Sequence, residues 1–174
     1  MKNFKKNFFS IILFILIPNN LLADLPRYLD FKYVLNESEA GKKAQTELKK
    51  KLDNGVKDLS KQEKIIQEEE KKIIQQKKIL SQEEYKKKVT ELRKKVSDLQ
   101  KKRNKLLNTV SAQRSKARSQ LLKNLNPVVK EYMVEKQIYM VIDKKELILA
   151  DEKLDITKDI ISRLNAKIKT LKLE

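Results

Sequence analysis

Apolar and polar positions divide the chain into stretches of different period. Phe8 to Ile17 is an apolar run with Ser10 as its one polar residue, preceded by Lys2, Lys5 and Lys6. Pro18-Asn19-Asn20 interrupts it, and Leu21-Leu22-Ala23 leads into Asp24. A basic start, a short apolar core and a small residue at the exit predict a secretory signal peptide, residues 1–23, cleaved after Ala23. A membrane anchor is the alternative, but a span needs ~20 apolar residues, about twice this run.

Arg27 to Val34 alternates. Leu29, Phe31 and Tyr33 fall on one face and Tyr28, Asp30 and Lys32 on the other, which predicts a half-buried strand. From Asn36 the period lengthens to three and four, with Asn36 or Ser38 as the cap of a helix. Ala40, Ala44, Leu48, Leu52, Val56 and Leu59 form its stripe. Beyond them the stripe thins to Leu59, Ile66, Ile73 and Leu80, with polar Gln62, Glu63, Glu69 and Gln76 at neighbouring seam positions. So narrow a seam buries little area and predicts a thin, flexible end.

Ser81-Gln82-Glu83-Glu84 has the spacing of a capping box and predicts the start of a second helix. Its stripe runs Tyr85, Val89, Leu92, Val96, Leu99, Leu106, Val110, Ala117, Leu121 and Leu125, interrupted by Arg103 and Gln113. A connection this short makes the two arms antiparallel neighbours. A single continuous helix through Ser81, assembled with other chains, is the alternative. Val128 to Lys136 stays helical in pattern. Ile138, Met140 and Ile142 then alternate as a strand, Asp143–Glu146 turns the chain, and Leu147-Ile148-Leu149 reads as a partner strand. A last amphipathic helix follows, capped by Asp155 or Thr157, with a stripe of Ile156, Ile160, Ile161, Leu164, Ile168 and Leu171.

The expected class is therefore α+β, mostly α: a long antiparallel helical hairpin on a small β body. Residues 37–126 form the arms, with the tip near Ser81; residues 24–36 and 127–174 form the body. Three short strands with one apolar face are marginal alone and leave unpaired edges. Leu29, Phe31, Ile138, Met140, Ile142, Leu147 and Leu149 are better buried between copies, in a closed sheet shared among subunits. A monomeric three-stranded sheet under the last helix is the alternative.

Composition removes whole classes of chemistry. The 174 residues contain no Cys and no His, which excludes disulfides, zinc sites, thiol nucleophiles and imidazole mechanisms. There is no Gly-rich phosphate loop. Glu68-Glu69-Glu70 point to different helix faces, and Asp151 and Asp155 lack a calcium-type loop around them. No enzyme activity and no cofactor are expected. The net charge of +17 calls for an anionic partner; the signal takes three lysines with it, leaving +14.

That charge is uneven. The first arm, 37–80, has 12 basic and 9 acidic residues; the second, 81–126, has 14 basic and 4 acidic. From Leu99 to Asn126 there is no acid, against Lys101, Lys102, Arg103, Lys105, Arg114, Lys116, Arg118 and Lys123. Any one of these can be a plain solvated residue. Together they repel one another along a helix, and acidic clients or anionic lipid head groups would relieve that repulsion. Arg103 and Arg114 are the two expected to turn inward.

The ordered combination resembles the OmpH/Skp family of periplasmic chaperones for outer-membrane proteins. It comprises a signal peptide, an opening strand, Asn-Glu-Ser-Glu-Ala-Gly-Lys-Lys-Ala at 36–44 and a basic hairpin. The chain then closes with Ile-Tyr-Met-Val-Ile-Asp at 138–143 and Leu-Asp-Ile-Thr-Lys-Asp-Ile-Ile at 154–161. The resemblance implies a homotrimer with a shared β-barrel body, whose three hairpins surround a cavity for unfolded outer-membrane proteins. It implies an ATP-independent holdase. A structural or adaptor coiled coil of the envelope is the competing reading, disfavoured by the polar seam. A nucleic-acid partner is not expected, since interleaved aromatics are lacking and the signal directs export.

Overall fold

The computed structural model describes residues 25–173, so the expected signal peptide, residues 1–23, lies outside the described residues. β1 (Arg27–Leu29) leads into α1 (Phe31–Glu37), and α2 (Glu39–Gln76) and α3 (Gln82–Glu135) follow as two long antiparallel helices. β2 (Val141–Asp143), two single 3₁₀ turns at Lys144–Glu146 and Glu152–Leu154, and α4 (Thr157–Lys167) complete the order. β1 and β2 pair in parallel, with Arg27 opposite Val141, Tyr28 opposite Ile142 and Leu29 opposite Asp143.

The opening strand is shorter than its alternation suggests. Asp30 Oδ1 accepts from Tyr33 N at 2.8 Å and caps α1, while Asp30 N donates to Thr157 Oγ1 at 2.9 Å. Phe31, Val34 and Leu35 also lie at helical spacing, so periodicity alone fits both elements; the Asp30 cap decides for helix. Phe31 and Tyr33 consequently belong to α1. Of the two capping candidates for α2, Ser38 serves: its buried Oγ accepts from Gly41 N at 3.2 Å. A Cβ at Gly41 would stand 2.0 Å from the Leu35 carbonyl oxygen, so the α1–α2 corner requires glycine there.

Two further expectations are corrected. Leu147-Ile148-Leu149 forms no strand. The turns capped by Asp143 and Asp151 bracket it, and Ile148 and Leu149 stand almost wholly in solvent. Tyr28 instead makes a single bridge to Asp155, and its carbonyl accepts from Ile156 N at 3.0 Å. The last helix stops at Lys167, and Ile168 is already extended, so Leu171 lies beyond the stripe assigned to it. Asp155 Oδ1 accepts from Thr157 N at 2.8 Å; Thr157 uses its own hydroxyl on β1.

α3 passes through Pro127 without ending. It stops eight residues later, at Glu135, in a Schellman motif: Ile138 N donates to Met133 O at 2.8 Å and Gln137 N to Val134 O at 3.3 Å. Gln137 takes the left-handed position usual for glycine, with φ of 53°. The core gathers at this end of the hairpin, where Leu29, Val34, Leu121, Leu125, Ile160 and Leu164 are essentially inaccessible. Tyr132 Oη donates to Asp159 Oδ2 at 2.6 Å, and Arg163 reaches both Glu135 oxygens at 2.7 and 2.9 Å.

Candidate functional site

The hairpin is held in register by the very polar residues that thin its seam. Lys102 donates to Gln62 Oε1 at 2.8 Å, Lys95 to Glu69 at 2.6 Å, Lys88 to Gln76 at 3.4 Å and Lys51 to Gln113 at 2.9 Å. In each pair the two positions lie equidistant from residue 82, so one antiparallel register accounts for all four. Ser81 sits at the turn in a reciprocal capping box: Glu84 N donates to Ser81 Oγ at 3.3 Å and Ser81 N to Glu84 Oε2 at 3.1 Å. Ser81 Oγ also donates to Glu84 Oε2 at 2.7 Å, and this bond first, then the one from Ser81 N, holds the Glu84 carboxyl below its usual range.

With long cationic chains closing the seam, apolar side chains beside it stay wet. Val56, Ile65, Ile74, Val96 and Leu107 are all at least half exposed. Near the tip, Ile73, Ile74, Tyr85, Val89, Leu92 and Val96 line a hollow of about 450 Å³, with Glu70 and Arg93 beside them.

All eight cations of the acid-free segment are exposed, but they do different things. Arg103 is turned toward the other arm, 3.4 Å from Glu63, and Lys101 lies 3.5 Å from Asp98. Arg114 and Arg118, one helical turn apart, come together at the root of the hairpin. There they line an open groove of about 1060 Å³ with Leu35, Leu48, Leu52 and Leu121 among its apolar walls. Lys32, Lys49, Lys144 and Lys145 add to its rim, against the carboxylates of Asp30 and Asp143. Lys145 pairs with Asp143 at 3.5 Å and Lys144 with Asp155 at 3.9 Å. Among the described residues, Lys105, Arg114, Lys116, Arg118 and Lys123 have no carboxylate within ion-pair distance. A greasy groove rimmed by surplus positive charge suits a chain that is apolar and anionic at once.

Sequence reasoning missed the lysines from α1, α2 and the turn after β2, because only the fold carries them to the α3 arginines. Of the residues expected to bury between copies, Leu29 is enclosed within the chain itself. Phe31, Ile138, Ile142 and Leu147 are half-buried, and Met140 and Leu149 are exposed. Among the described residues no helix is long and apolar enough to cross a membrane.

Comparison with known proteins follows the same lines. The family model for outer membrane protein (OmpH-like) matches residues 27–164. Among solved structures, a candidate outer membrane chaperone (OmpH-like) from Caulobacter crescentus has the same fold. Its TM-score is 0.78 at 23% identity, over 85% of this chain and 89% of that one. No curated protein matches.

Proposed function

We propose that this chain, which belongs to the OmpH-like outer membrane protein family, is an ATP-independent periplasmic holdase that binds unfolded outer-membrane polypeptides and keeps them from aggregating. The observation that carries this reading is the wet apolar row Val56, Ile65, Ile74, Val96 and Leu107 on arms closed by lysine contacts. Such a surface offers many weak, adaptable contacts rather than one rigid seam. The uncompensated cations of α3 would draw acidic clients, or anionic lipid head groups, from a distance.

Assembly as a homotrimer with a shared barrel belongs to the same proposal. Two supports stand out: the two-stranded sheet leaves edges open, and Met140, Ile148 and Leu149 project apolar surface from the body.

The test is direct. Mature protein is mixed with an unfolded β-barrel protein diluted from urea, and light scattering is followed. Suppression at a few-fold excess is expected. Its failure would turn the reading to an envelope adaptor with fixed partners.

A further inference from the structure

The C-terminal segment packs into the root of the hairpin, and a side chain of α3 holds its backbone there. Residues 171–173 belong to no helix or strand, alternate between packed and exposed side chains, and lie outside the family match, which ends at residue 164. Leu173 is buried against Ala44, Leu48 and Ala117, with Leu171 packed beside it, while Lys172 between them faces solvent. Ala44 on α2 and Ala117 on α3 are small, and the space they leave between the helices is what Leu173 fills. Gln120 clamps the backbone between the two leucines. Its Nε2 donates to Lys172 O at 2.7 Å, and its Oε1 accepts from Lys172 N at 3.1 Å.

We propose that this cleft, between α2 and α3 at the hairpin root, is a peptide-binding site for extended chain with apolar residues at alternate positions, and that segment 171–173 is its resident occupant. The clamp engages both polar groups of one peptide residue and no side chain, so it reads extension and not sequence. The pocket beneath selects period two. Strands of membrane β-barrels alternate in the same way, and the choice of that client class rests on the holdase reading above.

Charge sets the order of competition. Lys116 and Lys123 lie four residues before and three after Gln120 and share its helix face. The segment therefore places Lys172 among like charges, whereas a client with an acidic residue at that outward position meets opposite ones. Leu171 also lines the root groove beside Arg114 and Arg118, so a client that displaces the segment continues into that groove.

Three labelled hexapeptides test the site by fluorescence anisotropy: Ile-Lys-Thr-Leu-Lys-Leu, its Lys→Glu variant Ile-Lys-Thr-Leu-Glu-Leu, and the reordered Ile-Lys-Thr-Lys-Leu-Leu. The proteins are the mature wild type, a form ending at Lys169, and full-length L171S/L173S, which frees the segment without shortening the chain. Circular dichroism checks that each remains helical. Freeing the segment should tighten binding of the first peptide about ten-fold or more, as expected when a competing state is removed. The Glu peptide should bind tighter still and lose affinity with salt, the reordered one should bind poorly, and Gln120→Ala in the L171S/L173S background should abolish the gain. Equal binding by wild type and both freed forms would overturn the site, as would indifference to Gln120→Ala. Aggregation suppression by the wild type, measured in parallel, separates the two ideas. Suppression without tail-dependent peptide binding removes the site and keeps the holdase; peptide binding without suppression does the reverse.

Discussion

Tyr132 shows how much a single residue draws together at the root. Its ring lies against the core, its hydroxyl donates to Asp159, and the Arg163 guanidinium sits 4.8 Å from its centroid. Burial foremost, then the hydrogen bond to Asp159, push its phenol from 10.0 up to about 12. A raised pKa means that the contribution to stability is complete below the ordinary phenol value and is lost as pH climbs toward the folded one. Tyr132→Phe should cost about 1 kcal/mol at neutral pH, lowering the melting temperature by roughly 2–4 °C for a chain of this size. The gap between variant and wild type should then close between pH 10 and 12, the range set by that shift. Melting curves for the two proteins that stay parallel through this range would show that the phenol is uncoupled from folding. None of this network was legible in the sequence, because Asp159 and Arg163 reach Tyr132 only once α4 has docked. Ser38 and Ser81 were legible, since a cap and its target lie within three residues.

At the scale of elements, the hairpin's stripes marked both arms and their junction, and the capping box marked where the chain turns. The function of the interruptions was hidden. Gln62, Glu69, Gln76 and Gln113 read as weaknesses in a seam, and each proves to hold a lysine from the opposite arm. Strand against helix at residues 30–34 was lost for another reason: two periods fit five residues equally well, and the cap that decides between them is a single Asp. Ser81→Ala should remove about 1 kcal/mol of local stability, seen as faster amide exchange across 74–90 with the root unchanged. Acid should do the same to the wild type. Glu84 titrates below its usual 4.5, so its stabilising effect is present above that value and is lost as pH falls through the folded one. In Ser81→Ala the acid step should shrink without disappearing, because the backbone N–H at position 81 still donates to the Glu84 carboxylate. Uniform loosening of both ends would mean that the arms melt as one unit and that the cap has no local role.

For the molecule as a whole, the charge imbalance and the family pattern were visible from the start, whereas the root groove needed α1, α2, α3 and the turn after β2 in place. If the surplus charge steers clients, replacing Arg114 and Arg118, unpaired among the described residues, together by Glu should slow capture several-fold in low salt. It should also flatten the decline in rate from about 50 to 500 mM, where the screening length shrinks from roughly 14 to 4 Å. Helicity should persist, as Glu and Arg have similar helix propensity. Identical rates and slopes in the two proteins would leave apolar contact as the sole basis of capture.

The unbroken course of α3 from the tip into the core has a mechanical consequence. From Gln82 to Leu121, where the helix enters the core, the rod measures roughly 60 Å at ~1.5 Å per residue. A rotation of about 10° at Leu121 sweeps the far end through about 10 Å on that length. The root therefore works as the short side of a lever. Repacking that barely disturbs the buried leucines is geared up into a displacement as wide as a helix.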